Sequence, residues 1–249
     1  VLQVPLRDKQ RWNAQEPRSA VEGIVVEVRT KSGITGIGKI QGSPISEIHK
    51  WIGVIGEIVT GMDAREAVAI WDKIFALTSP RPRAVAKSDG LPPPFPRGKR
   101  PQIVAALGAV DIALWDIKGK AAGLPLFRLL GAENRPLFTY STGGYYIEGG
   151  NMLDAADELA GFVALGYKAV KMKMGFYELE EEVERVKALR SAVGPDIQIM
   201  VDMNACYTLN ECIRFARLVE PCDMTWLEEP LHWYLQPKDF ARLAAATSI

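Results

Sequence analysis

Histidine and cysteine are scarce in this chain, and the scarcity excludes several classes. Two histidines and three cysteines are spread over 249 residues. Cys206, Cys212 and Cys222 have neither the even count of a disulfide framework nor a spacing that suits zinc. They read as reduced thiols of a cytoplasmic protein. A prevailing charge is also lacking: 30 Lys and Arg balance 30 Asp and Glu, for a net charge of +0. Such a balance supplies no overall pull toward nucleic acid or an anionic membrane. No apolar run approaches the roughly 18 residues of a membrane span. Neither nucleic acid nor a membrane is therefore expected as a partner. What is present is 48% hydrophobic residues, ordinary for a globular chain with one large core or two smaller ones.

Hydrophobic rhythm divides the chain. "EGIVVEVRT" (22–30), a "KSG" turn and "ITGIGKI" (34–40) predict a hairpin. Gly33, Gly36 and Gly38 read as turn chemistry, because their spacing is not that of a phosphate loop and no helix follows directly. A helix is predicted from Ser43-Pro44, with serine as cap and proline in the first turn. Another is predicted from Asp63, with Glu66 completing a capping box. Residues 80–101 are proline-rich and basic and read as a loop. From Gln102 a long helix is expected, since Ile103, Leu107, Val110, Leu114 and Ile117 recur at helical spacing until Gly123 and Pro125 end it. Beyond residue 133 strand and helix alternate four times at short intervals, the pattern of βα units around a parallel sheet. The reading is an α+β domain over 1–133 and a run of βα units over 134–249.

Charge collects at the C-terminal ends of those strands. One ends in Lys171 and Lys173, the next in Asp202 and Asn204, the last in Glu228 and Glu229. Residues two apart in a strand point the same way. A helix cap or an ordinary strand exit would account for one such pair. Three in succession point to a site, at the edge where barrels and open α/β sheets carry theirs. Asp202 and Glu228 are hard oxygen donors of the kind that suit Mg2+. Beside them the paired lysines gain a purpose. At about 6 Å and an effective dielectric near 20, two unit charges repel by about 3 kcal/mol, or about two pKa units. An ammonium next to a second ammonium and a divalent cation thus moves toward general-base range. One lysine can then remove the proton next to a carboxylate, while the metal and the other lysine stabilise the resulting enediolate.

Four segments in this order resemble the enolase superfamily, and within it the mandelate racemase and muconate lactonizing enzyme group. "ALGAVDIALWDIKGKAAGLPLFRLLG" (106–131) is similar to the signature at the end of that group's capping domain. "VKMKMG" resembles its Lys-x-Lys strand, "VDMN" its third-strand ligand followed by Asn, and "WLEEP" its fourth-strand ligand. The resemblance implies an α/β fold: a modified TIM barrel preceded by an α+β capping domain, with only the first half of the barrel within these residues. It implies Mg2+ held by Asp202 and Glu228, with the third ligand and the second acid or base beyond residue 249. Lys173 would be the base on one substrate face, and Lys171 would touch the substrate carboxylate and tune Lys173. Asn204 would hydrogen-bond in the site, and Glu229 would support from behind. Capping-domain loops shape the substrate pocket in this group; "QRWNAQEP" (10–17), with Trp12, is the best such loop here. His232, just past the fourth strand, is expected near the pocket mouth. The resemblance further implies a small carboxylate substrate, a homo-oligomer, and an acid-sugar dehydratase or racemase. A cycloisomerase or an amino-acid-derivative epimerase is the alternative, and the 249 residues alone are expected to be inactive. A Schiff-base lysine is a different chemistry, needing one desolvated lysine and no metal. A barrel that has lost activity and serves as a binding or structural subunit is the non-enzyme reading. Trp115 and Trp226 are expected to pack cores, and His49 to lie at the surface.

Overall fold

The computed structural model describes residues 2–5, 11–12, 17–18, 20–42, 44–80, 90 and 92–249, with side chains from Glu22 onward. Two compact units emerge. One comprises Val1–Val4 and Ala20–Pro136, the other Pro5–Ser19 and Leu137–Ile249.

The chain opens with β1 (Leu2–Pro5), in the sheet of the first unit, and passes through β2 (Arg11–Trp12) and β3 (Pro17–Arg18), which belong to the second, before it returns to the first. Then come β4 (Ala20–Arg29) and β5 (Thr35–Ile40), paired antiparallel with Val26 opposite Gly38. The sheet order is β1-β4-β5. Three helices come next, α1 (Ile45–Val59), α2 (Ala67–Ala76) and α3 (Arg100–Ala122), then the short α4 (Leu126–Leu129). Ile48 and Ile55 of α1, Ile70 and Ile74 of α2, and Ile103, Leu107 and Leu114 of α3 form one core with Ile24 and Val26 of β4. Helix α2 starts four residues later than the sequence predicts. Asp63 uses its carboxylate to bind the Arg65 amide and guanidinium, a local turn that competes with helix. The Ser43 cap lies outside the described residues. Gly123 closes α3 at φ 65, the left-handed conformation glycine adopts without penalty. Gly33 likewise sits in the β4–β5 turn at φ 88. Gly36 and Gly38 do not serve a turn. They lie within β5, where a Cβ would overlap the carbonyl oxygens of Ala113 and Ala109 on α3, so here glycine allows strand and helix to touch backbone to backbone.

The second unit runs β6 (Ser141–Gly143), β7 (Tyr146–Ile147), α5 (Asp154–Ala164), β8 (Ala169–Lys173), α6 (Leu179–Val193), β9 (Gln198–Asp202), α7 (Leu209–Val219), β10 (Met224–Glu228) and α8 (Pro237–Ala246). Strands β6, β8, β9 and β10 form a parallel sheet in the order β10-β9-β8-β6, joined through α5, α6 and α7 as α/β units require. Separately, β2 pairs antiparallel with both β3 and β7, setting Trp12 opposite Tyr146. Alternation sorts the parallel sheet into two faces. Val170, Met172, Ile199 and Val201 point to the helices and share a core with Leu159, Val186, Leu189, Phe215 and Leu243. The other face carries two cross-strand rows. Thr142, Lys171, Met200 and Trp226 are in register, and one step on come Lys173, Asp202 and Glu228. No helix among the described residues is long and apolar enough to cross a membrane.

Candidate active site

The last row of that second face lies at the C-terminal ends of three adjacent parallel strands. Parallel register makes Lys173, Asp202 and Glu228 direct neighbours, and Lys171 stands one step below on the face of Lys173. The Lys171 Nζ donates to both Glu228 carboxylate oxygens at 2.7 Å and approaches Asp202 Oδ2 at 3.4 Å. The Lys173 Nζ donates to the same Asp202 oxygen and lies 3.5 Å from Asn204 Oδ1. Asp202 is 2% exposed and Lys171 7%, so these charges interact with little water between them. Tyr140 and Tyr145 add aromatic walls: Lys171 Nζ is 5.7 Å from the Tyr140 ring centre, and Lys173 Nζ is 5.9 Å from that of Tyr145. Tyr140 also meets Trp226 edge-on at 5.4 Å, and Trp226 is half-buried rather than sealed in a core.

Burial and pairing oppose each other here. Burial alone would lower the Lys171 pKa, but the hydrogen bonds to Glu228 and the charges of Asp202 and Glu228 outweigh it, and the ammonium is held above its ordinary value. Burial alone would raise the Asp202 carboxyl, yet the Lys173 hydrogen bond and charge, with the Asn204 amide, bring it below the usual carboxylate range. From the sequence, the second ammonium is the expected main neighbour of each lysine. The carboxylates are nearer, so in this arrangement Lys171 shifts up, not down.

Asn204 and Glu229 frame the row. The Asn204 amide donates to Asp202 Oδ1 at 3.0 Å, and its side-chain amide donates to Glu229 Oε2 at 3.3 Å. Asn204, Ala205 and Glu229 all have positive φ, at 48°, 60° and 43°, a conformation non-glycine residues adopt at a cost and often at working sites. Backbone bonds from Met203 to the Glu228 carbonyl and from Ala205 to the Glu229 carbonyl, at 3.0 and 2.8 Å, hold the two bends together. Glu229 Oε1 accepts from Trp233 Nε1 at 3.1 Å. His232 turns to its own loop, stacking near Trp233 and Tyr234 and lining a groove with Tyr207, Asn210 and Arg242. Trp12 contributes its backbone to β2; its side chain lies outside the described residues, as does most of the 10–17 segment. Sequence reasoning missed Tyr140, Tyr145 and a buried pair behind the lysines, Glu182 and Arg185. Register from β8 back to β6 could have found Tyr140; nothing local marks the others.

Asp202 and Glu228 are the pair that could take a divalent cation. They offer hard carboxylate oxygens on one sheet edge, and one or two carboxylates with substrate oxygens suffice for a magnesium-type site. Among the described residues no group of three His, Cys, Asp or Glu gathers for a metal. A cation entering between them would compete with Lys171 and Lys173 for the oxygens they now hold.

Comparison with known proteins identifies the family of the chain. Residues 12–131 match the family model described as mandelate racemase/muconate lactonizing enzyme, N-terminal domain, and residues 154–249 match enolase C-terminal domain-like. Arabinonate dehydratase of Saccharolobus solfataricus is 32% identical over 216 residues, covering 85% of this chain and 53% of that protein. The chain spans about half the length of the curated relatives it matches. Among solved structures, L-talarate/galactarate dehydratase from Salmonella typhimurium LT2, liganded with Mg and L-lyxarohydroxamate, superposes with a TM-score of 0.80 at 28% identity. It covers 99% of this chain and 60% of that one. A racemase from Streptomyces coelicolor A3(2) with bound magnesium gives 0.81 at 28% identity, over 99% and 64%. The chain belongs to the mandelate racemase/muconate lactonizing enzyme group of the enolase superfamily.

Proposed function

We propose that this chain takes part in magnesium-dependent removal of the α-proton of an acid sugar, as a dehydratase or a racemase. The observation that carries the reading is the row at the strand ends, where two ammonium groups and two carboxylates share one face within hydrogen-bond distance. The named relatives, two sugar-acid dehydratases and a racemase, support it. Asp202 and Glu228 would hold Mg2+, which when bound offsets negative charge building on the substrate carboxylate. Lys173 takes the α-proton from one face. It can do so once Asp202 no longer holds its ammonium, since a base needs a free lone pair. Lys171, deeper on the same face, meets the substrate carboxylate and keeps a positive charge beside Lys173. Asn204 orients Asp202 through its amide, and Glu229 holds Asn204 in its bend.

After proton removal, loss of hydroxide from the neighbouring carbon gives an enol and then a ketone, a net loss of water. Return of a proton to the opposite face gives the inverted acid. The partner is a small carboxylate, and we read the assembly as a cytoplasmic homo-oligomer. Burial pushes the Cys212 thiol up to about 12, which keeps it a thiol.

Purified full-length protein carrying these residues, incubated in D2O with Mg2+ and a panel of aldonic and aldaric acids, should place deuterium at the α-carbon of at least one of them. Lys173→Ala should abolish that exchange, and Asp202→Asn should weaken Mg2+ binding by more than about tenfold in calorimetry. Absence of Mg2+ binding at millimolar concentration would reject the enzyme reading in favour of a structural or binding subunit. Carbonyl formation against stereochemical inversion separates dehydratase from racemase.

A further inference from the structure

Behind the strand ends, α6 sends a buried ion pair under the loop that leaves β8. Glu182 is 0% exposed and Arg185 2%. A buried pair is a poor way to stabilise a core, because apolar side chains of similar shape often do as well or better. Its contacts are more informative. Arg185 Nη1 donates to the Lys173 carbonyl oxygen at 3.1 Å, and Nη2 donates to the Gly144 carbonyl oxygen at 2.9 Å. One planar fork therefore ties the exits of β6 and β8 together. On its other side the Met174 amide donates to the Asp202 carbonyl oxygen at 3.0 Å. Both polar groups of the peptide joining Lys173 to Met174 are thus held, one from the helix and one from β9. Glu182 secures the next three residues: its Oε1 accepts the amides of Gly175, Phe176 and Tyr177 at 3.0, 3.1 and 3.1 Å, while Oε2 accepts from Arg185 Nη1 at 2.6 Å. The Tyr146 hydroxyl donates to Glu182 and accepts from Arg185 and Phe176. Arg185 Nε is buried without a partner among the described residues, a cost this arrangement bears.

We propose that Glu182 and Arg185, bridged by Tyr146, are positioning residues that aim Lys173 at Asp202 by fixing the Lys173–Met174 peptide. They act through the backbone and touch no substrate; the kinetic consequence rests on reading Lys173 as the base. Small misplacement of a reacting group can cost about a hundredfold in rate.

The test compares Glu182→Gln and Tyr146→Phe with the unsubstituted chain. Tyr146→Phe keeps the ring packing and guards against a variant that fails to fold. In Glu182→Gln the amides of 175–177 should exchange at least about tenfold faster, with those of β9 unmoved, and Tyr146→Phe should do the same to a smaller extent. Lys173 should react faster with acetic anhydride while Lys171 changes little. If an acid is turned over, kcat should fall by about a hundredfold with KM and the Mg2+ Kd within about twofold. Equal acceleration over β9 and the loop, an unchanged Lys173 reactivity, or an unchanged kcat with a loosened loop would overturn the proposal. Where the unsubstituted full-length protein exchanges no acid, the activity reading fails, and the amide and labelling results still decide this one.

Discussion

Asp116 on α3 uses its carboxylate to accept from Lys120 Nζ at 2.7 Å and from the Ile37 amide at 2.8 Å. Strand β5 is at the edge of its sheet, so the second bond satisfies an edge amide and fastens strand to helix. The Lys120 hydrogen bond, then the Ile37 amide, hold the Asp116 carboxyl below the usual carboxylate range. A depressed folded value contributes stability in full above the unfolded value of about 4, and that contribution is lost as pH falls through the depressed value. Asp116→Asn should therefore cost at most about 1 kcal/mol at neutral pH. It should also flatten the acid limb of the stability curve below about pH 4, as read from urea midpoints at a series of pH values. Residues of this kind differ sharply in how readable they are. Lys171, Lys173, Asp202 and Glu228 can be grouped from the sequence because strand alternation and parallel register are local rules. Glu182 and Arg185 cannot. In "ELEEEVERVK" they look like any charged pair on a wet helix, and their partner Tyr146 lies 36 residues before Glu182.

Among the elements, β5 against α3 shows how one residue type can serve opposite ends. Gly38 and Gly36 leave no room for a Cβ against the carbonyls of Ala109 and Ala113, whereas nothing lies within 4 Å of a Cβ built at Gly53 on α1. Gly38→Ala should destabilise by about 2–3 kcal/mol, because the strand must move off the helix. Gly53→Ala should stabilise by about 0.5–1 kcal/mol, since a helix interior favours alanine. Thermal or urea unfolding of the two variants checks both signs. By sequence, Gly36 and Gly38 read as turn residues, because composition cannot reveal that a helix from residues 100–122 will arrive at touching distance. The strands and helices from 169 to 246, by contrast, are legible nearly to their ends, helped by short-range signals such as the Thr208–Glu211 capping box, whereas β7 at Tyr146–Ile147 carries no such signal.

At the scale of the whole molecule, two cores stand out, one built on α1, α2 and α3 and one on the outer face of the parallel sheet. Phe215 is among the largest fully buried side chains of the second. Phe215→Ala should cost about 3–5 kcal/mol, and hydrogen exchange should rise in β8, β9 and β10 before it rises in β4 and β5. What the sequence could not disclose at this scale is the long-range pairing. Residues 5–19 join the unit of residues 137–249 through β2 and β7, a partnership across more than a hundred residues that no local pattern announces. The bends at Asn204, Ala205 and Glu229 have a bearing on heat resistance. Three side-chain-bearing residues wound the unfavourable way store energy next to the charged row, and relaxing them is among the simplest routes to a tougher protein. An engineer who took that route would be trading the placement of the charged row for a higher melting point.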